Sequence, residues 1–137
     1  MIYGEHIQCD FPDGEGHHLR ALAISALTVP DHGCCAVIGP SGSGKSTLIQ
    51  HLNGLIHPTK GRVLVDGVDL AGKSKEAVAK RHTVGMVFQY PEQQLFEETV
   101  AQDIAFGPRN LGCDEETVEA RVREAMSFVG LDYDTYA

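Results

Sequence analysis

Hydrophobic and polar positions alternate over short distances in the first part of the chain. Residues 2–11 hold one brief apolar–polar alternation, which predicts an edge strand. Pro12 to His18 is polar and turn-rich, a surface loop. Leu22, Ile24, Leu27 and Val29 fall near a period of two and predict a second strand, and Pro30 to Gly33 turns the chain. Cys34 to Ile38 is a continuous apolar run, the pattern of a strand buried on both faces of a parallel sheet. A glycine–serine loop, Gly39 to Gly44, comes next. Leu48, Ile49, Leu52 and Leu55 then follow helical spacing, and Gly54 and Pro58 mark that helix's end.

Further along, Arg62 to Val65, Asp66-Gly67 and Val68 to Leu70 predict a hairpin, because Asp-Gly suits a tight two-residue turn. Lys73 to Arg81 reads as a polar helix. Thr83 to Phe88 reads as another buried strand, ending at Gln89-Tyr90-Pro91. Past Pro91 the pattern changes to short helices and turns. Asp114 to Val129 is amphipathic, with Val118, Val122, Met126 and Val129 on one face. Asp114 suits an N-cap, Glu115 and Glu116 suit the first turn, and Gly130 suits a stop. Two parts follow: residues 1–91, mixed α/β with antiparallel hairpins, and residues 92–137, mainly helical.

Composition narrows the class. A chain of 137 residues with 42% hydrophobic and 22% charged residues is an ordinary globular domain that needs no disulfide or metal staple. No stretch approaches the length of a membrane span, and no basic segment leads into an apolar one as in a signal peptide. The four cysteines include no Cys-x-x-Cys pair, and Cys34 and Cys35 sit in an apolar stretch, so buried, reduced thiols in a cytoplasmic protein are expected. The adjacent His17 and His18 read as loop residues, and no zinc-ligand spacing is present.

The net charge of −8 is uneven. Residues 1–91 hold 8 acids and 8 bases, whereas residues 92–137 hold 11 acids against Arg109, Arg121 and Arg123. An acidic surface disfavours nucleic acid as the partner. It leaves a basic protein partner or a solvated acidic helix.

The sharpest chemical signal is Gly39-Pro40-Ser41-Gly42-Ser43-Gly44-Lys45-Ser46, which matches G-x-x-x-x-G-K-[ST]. Phosphates held by a ring of backbone N–H groups require a tightly turning chain, and Gly42 and Gly44 permit that turn. The helix beginning near Lys45 directs its positive dipole end at the same anion. Lys45 adds a full charge near the β- and γ-phosphates. The Ser46 hydroxyl is placed for Mg²⁺, and Thr47 can reach the α-phosphate. The motif identifies a nucleoside-triphosphate site without naming a function, since kinases, GTPases, helicases and transport ATPases all use one.

Several further stretches resemble the ATP-binding cassette (ABC) family. They are Leu52-Asn53-Gly54-Leu55, Pro58-Thr59-Lys60-Gly61, Val65-Asp66-Gly67 and Val84-Gly85-Met86-Val87-Phe88-Gln89. The stretch Phe88 to Phe96, with Thr99-Val100, Asp103 to Pro108 and Asn110-Leu111-Gly112, resembles the energy-coupling-factor subgroup, whose ATPases serve vitamin and cobalt or nickel importers. The resemblance implies a P-loop NTPase core with an N-terminal antiparallel β subdomain (residues 1–91) and the start of a helical subdomain (residues 92–137). It implies ATP and Mg²⁺ as ligands. Gln89 would contact Mg²⁺ or water near the γ-phosphate and link the site to the membrane partner. Phe11 would stack on adenine. The acids Glu92, Glu97 and Glu98 beside Gln93, Gln94, Leu95 and Phe96 would receive basic coupling helices of a transmembrane subunit. Also implied are a second ABC ATPase subunit, identical or related, a separate substrate-binding membrane subunit, and a place on the cytoplasmic face of the membrane.

The sequence holds no Leu-Ser-Gly-Gly-Gln signature, no apolar strand ending in Asp-Glu and no switch histidine. The expectation is therefore an N-terminal portion of a nucleotide-binding subunit, binding Mg-nucleotide weakly by itself without meaningful turnover, because no general base for water is present. Lost neighbours for the parallel sheet would leave apolar edges exposed. A non-catalytic nucleotide-binding module, another type of ABC protein and an unrelated phosphate-loop kinase are the alternatives.

Overall fold

The computed structural model describes residues 1–137 and divides into two compact units, Met1–Met86 and Val87–Ala137. The first unit is built on an antiparallel sheet. Strand β1 (Ile2–Pro12) turns through a polar loop into β2 (His18–Val29), and β3 (Lys60–Val65) turns into β4 (Val68–Asp69). The order across the sheet is β2-β1-β3-β4. β1 is therefore an interior strand, paired on both sides, rather than the edge strand its short alternation suggests. Its weak pattern comes from polar residues on the face away from the core, whereas Ile7 and Cys9 face inward and are buried.

Two bulges shape this sheet. Opposite Cys9 and Asp10, strand β2 uses the pairs Leu22 and Arg20, so Ala21 is the extra residue. Opposite Arg62 and Lys60, strand β1 uses Glu5 and Gln8, and the intervening His6 has φ 48°. The β3–β4 turn agrees with the Asp-Gly expectation: Asp66 (φ 49°) and Gly67 (φ 82°) both have the positive φ that a type I′ turn requires.

Helix α1 (Lys45–Leu52) packs Leu48 and Leu52 with Ile7, Cys9, Leu22, Val63, Val65 and Leu70 into one core. Each such side chain contributes about 1.5–3 kcal/mol when fully buried. Helix α2 (Lys75–Arg81) starts at Ser74, whose side chain accepts from the amide of Ala77. Arg81 donates to the carbonyls of Leu70 (2.5 Å) and Gly72 (2.9 Å), tying α2 to the end of β4.

Three expectations fail. Cys34 to Ile38 forms no strand, and Ile38 is 92% exposed. Cys34 and Cys35 are exposed thiols, while Cys9 is the buried one and Cys113 is half-buried. Thr83 to Phe88 is likewise unpaired, with Val87 79% exposed. An apolar run becomes a strand only when another backbone pairs with it, and neither run has a partner strand in residues 1–137.

The second unit is helical. After a 3₁₀ turn at Pro91–Gln94 come α3 (Val100–Asn110), α4 (Glu115–Phe128) and the short α5 (Tyr133–Tyr136). Ala105, Val118, Val122 and Met126 form its core. Asp114 caps α4, accepting from the Thr117 amide at 2.8 Å, which holds its carboxyl below the usual range. Gly130 ends the helix at φ 75°. Val129 does not join the apolar face and is 64% exposed. The chain reverses there, Leu131 donates its N–H to Met126 O at 2.9 Å, and Leu131 packs on the core instead.

Candidate functional site

The glycine–serine loop and α1 form the candidate phosphate site of the first unit. Gly42 (φ 79°) and Gly44 (φ 88°) both occupy the left-handed region, so the loop turns back on itself just before the helix. Ser43 donates its N–H to Pro40 O at 3.3 Å, and Leu48 donates to Gly44 O at 2.8 Å, the first helical bond after the loop. Lys45 reaches back across the loop: its Nζ donates to Gly39 O (2.8 Å) and Pro40 O (2.7 Å). The ammonium is thus held at the mouth of the loop by two of the loop's own carbonyls. Ser46 is exposed, and Thr47 is half-buried on the same first turn.

A cavity of about 370 Å³ adjoins the loop. Gly39, Pro40, Ser43, Gly44 and Lys45 line one side, and Ala21 to Ile24 of β2 line another. The β2 wall is something that motif reading missed. Its signal was the alternation that marks a strand, which does not reveal what the strand packs against. The loop approaches this wall closely at the Ala21 bulge, beside which Asp10 is anchored. Asp10 accepts from Gln8 Nε2 (2.5 Å) and from Arg20 Nε (3.1 Å), and these bonds hold its carboxyl below the usual range. Its backbone N–H donates to Thr59 Oγ1 at 3.0 Å.

Gly39 to Thr47 therefore come together as a single structure. Phe11 sits near the end of β1, paired with Leu19, 41% exposed and outside the lining of the 370 Å³ cavity. Gln89 belongs to the second unit, where it is exposed beside a hollow of about 340 Å³ shared with Phe88, Tyr90, Gln93 and Gln94.

The stretch from Glu92 to Glu98 is braced by α3. Asp103 Oδ1 accepts the amides of Phe96 (3.3 Å) and Glu97 (3.2 Å). The Phe96 and Phe106 rings meet edge to face with centroids 4.8 Å apart. Leu95 and Phe96 are nonetheless 69% and 60% exposed, so the segment presents apolar side chains among acids from a fixed backbone.

A left-handed glycine loop leading into a helix N-terminus, with a lysine held across it and an antiparallel sheet beside it, has the layout of a phosphate-loop domain. The ABC transporter family model matches residues 22–137, and the chain belongs to that family. It is 59% identical over 101 residues to the energy-coupling factor transporter ATP-binding protein EcfA2 of Clostridium perfringens, covering 74% of this chain and 35% of that protein. It is similar to cbiO1 from Clostridium perfringens, part of the ABC transporter complex cbiONQ, with TM-score 0.74 and 32% identity over 96% of this chain and 51% of that one. The same fold appears in MJ0796, an ATP-binding cassette solved in a dimeric post-hydrolysis state with ADP and Pi, with TM-score 0.79 and 23% identity over 98% of this chain and 59% of that one. The chain thus spans about a third of that curated relative and somewhat more than half of the latter two structures.

Proposed function

We propose that this chain supplies the phosphate-binding half of the ATPase subunit of an energy-coupling-factor importer. In that subunit, binding and hydrolysis of Mg-ATP drive uptake of a vitamin or a transition-metal ion through membrane partners. The observation that carries the reading is the Lys45 ammonium, fixed over the loop by Gly39 O and Pro40 O at the N-terminus of α1. Charge, helix dipole and backbone amides at the helix start converge there, which is the arrangement that holds a nucleotide's phosphates.

Within this reading each residue has a role. Backbone N–H groups of the loop, from Ser41 to Gly44, wrap the β-phosphate, Lys45 bridges the β- and γ-phosphates, and Thr47 meets the α-phosphate. The exposed Ser46 hydroxyl suits Mg²⁺, a hard cation that takes one or two protein oxygens plus phosphates and water. The ion would neutralise charge building up on the transferred phosphoryl group. Gln89 orients water and the metal near the γ-phosphate. Phe11 stacks on the base.

The Glu92 to Glu98 segment receives the basic coupling helices of a transmembrane subunit, with acid against base setting orientation. A second ABC ATPase subunit, the same or related, completes the nucleotide sandwich, and a separate membrane subunit selects the substrate. Docking of this kind places the protein on the cytoplasmic face of the membrane. No helix here is long and apolar enough to cross it. The segment 1–137 alone binds Mg-nucleotide without turnover.

The test is Mg-ATP binding and ATPase rate for the full-length protein, for residues 1–137 and for Lys45→Ala in each. The expected result is binding by both lengths, turnover by the full-length protein only, and loss of both in Lys45→Ala. Turnover by residues 1–137 that disappears in Lys45→Ala would refute the claim that the segment alone is inactive. Binding that survives Lys45→Ala would refute the site.

A further inference from the structure

His51 is the one buried polar side chain of the first unit, 1% exposed, in the second turn of α1 between Leu48 and Leu52. Its Nδ1 lies 2.7 Å from the carbonyl oxygen of Thr47. A carbonyl only accepts, so Nδ1 must carry the proton, which fixes the tautomer of the neutral ring. Nε2 is then a buried lone pair, and it has no hydrogen-bond partner. Leaving such an atom unpaired forfeits its hydration with nothing in return, whereas an apolar side chain of similar size would carry no such cost. Stability alone does not account for an imidazole here.

The bond that His51 does make leads toward the phosphate site. The Thr47–Leu48 peptide unit accepts the imidazole N–H at its oxygen and donates its own N–H, from Leu48, to Gly44 O at 2.8 Å. The Gly44–Lys45 peptide unit, so engaged at its oxygen, carries the N–H of Lys45. As the first residue of α1, Lys45 has an amide with no acceptor inside the helix. It is among the first amides that a phosphate at this helix end would meet. Peptide units linked in series polarise one another, each bond strengthening the next by roughly 10–30%.

We propose that His51 is a positioning residue for nucleotide binding, donating through Nδ1 to the Thr47 carbonyl and so polarising, through two peptide units, the Lys45 amide that meets phosphate. The inference rests on the nucleotide reading of the loop.

The experiment measures Mg-ATP affinity and Tm of the full-length protein with His51→Leu, His51→Asn and His51→Gln, alongside wild type and Lys45→Ala. Asn places its amide nitrogen near the position of Nδ1, and Gln near that of Nε2. His51→Leu should bind Mg-ATP more weakly by up to about 1.5-fold, because 10–30% per bond passed through two peptide units reaches a charge-assisted phosphate bond as roughly 1–9%. Its Tm should be unchanged or higher. His51→Asn should restore wild-type affinity, and His51→Gln should behave as His51→Leu.

In wild type, ¹⁵N NMR should show the Nδ1–H tautomer, with a resonance that moves when Mg-ATP is added. A purely structural histidine would not couple a rise in Tm to a loss of affinity, nor sense the nucleotide. Wild-type affinity in His51→Leu, equal losses in Asn and Leu, or an Nε2–H tautomer would each overturn the proposal. Should His51→Leu fail to fold, the Asn–Gln pair and the tautomer decide it. If wild type itself binds no Mg-ATP, the reading of the loop falls first. If wild type binds, Lys45→Ala does not, and the His51 series is flat, only this inference fails.

Discussion

A Cβ built on Gly44 would stand 2.7 Å from the carbonyl oxygen of Ala21. The glycine–serine loop and the β2 bulge therefore touch backbone to backbone, and the sheet sets where the loop stands. Two demands fall on Gly44 at once: a φ of 88° and this close approach. Gly44→Ala should lose nucleotide affinity more than tenfold and lower Tm, because left-handed backbone alone costs about 1–2 kcal/mol and the Ala21 oxygen cannot swing aside. Affinity within twofold of wild type would show that the loop is not seated on β2.

Gly61 makes a sharper comparison. Its φ is 81°, and a Cβ there would meet His6 O at 2.2 Å and Glu5 O at 2.4 Å. Gly67 has nearly the same φ, 82°, with no atom within 4 Å. Gly67→Ala should cost about 1 kcal/mol, the backbone penalty alone. Gly61→Ala should cost more than about 3 kcal/mol, because the β1–β3 bulge must open. Denaturant midpoints of the two variants check this, and equal losses would contradict the bulge.

Asp66 carries a pH signature. It accepts from the Met1 ammonium (2.7 Å) and from Lys80 Nζ (2.9 Å), and these bonds bring its pKa from 3.8 down to about 2. A carboxylate depressed in this way stabilises the fold above its unfolded pKa and loses that contribution as pH falls through the folded value. Wild type should exceed Asp66→Asn in Tm near pH 6, and the gap should close between pH 4 and pH 2. The Met1 ammonium, raised above 8.0 chiefly by its bond to Asp31, works in the opposite direction. Its contribution is present below pH 8 and is lost as pH rises through the folded value. A Tm gap that stays flat across both ranges would rule out these pairings in solution.

The helical unit has a clear division along α4. Met126 is fully buried and Val129 is 64% exposed. Met126→Ala should cost about 2–5 kcal/mol through the cavity it leaves. Val129→Ala should stay within about 0.5 kcal/mol of wild type. Thermal melts of the two variants, with helix content as the readout, separate these expectations. A large loss in Val129→Ala would mean that something covers that position.

Local chemistry was legible in the sequence wherever neighbours along the chain decide the outcome. Asp66-Gly67 made its turn, Asp114 its cap and Gly130 its stop, because each acts over a few residues. The tight turn of the glycine–serine loop was legible for the same reason, as Gly42, Gly44 and Lys45 lie within a few residues. Features that depend on distant chain were not. Cys34 to Ile38 and Thr83 to Phe88 have the composition of buried strands, yet pairing is a property of two segments, and no strand pairs with either run. The Gly44–Ala21 contact, the His6–Gly61 bulge and the His51 bond had no sequence signal either. Each joins a residue to a backbone atom, and a carbonyl has no letter in the sequence.

The unpaired run before the loop has a practical meaning for anyone handling residues 1–137. Cys34 to Ile38 offers open backbone amides and carbonyls, two free thiols and an almost bare isoleucine in one strip. Such a strip is a template for strand addition, and copies of the chain that meet there gain hydrogen bonds and apolar contact together. Concentration would then drive clumping, and air would lock the clumps through thiols. The segment that leads into the glycine–serine loop is thus the one expected to cloud a concentrated sample.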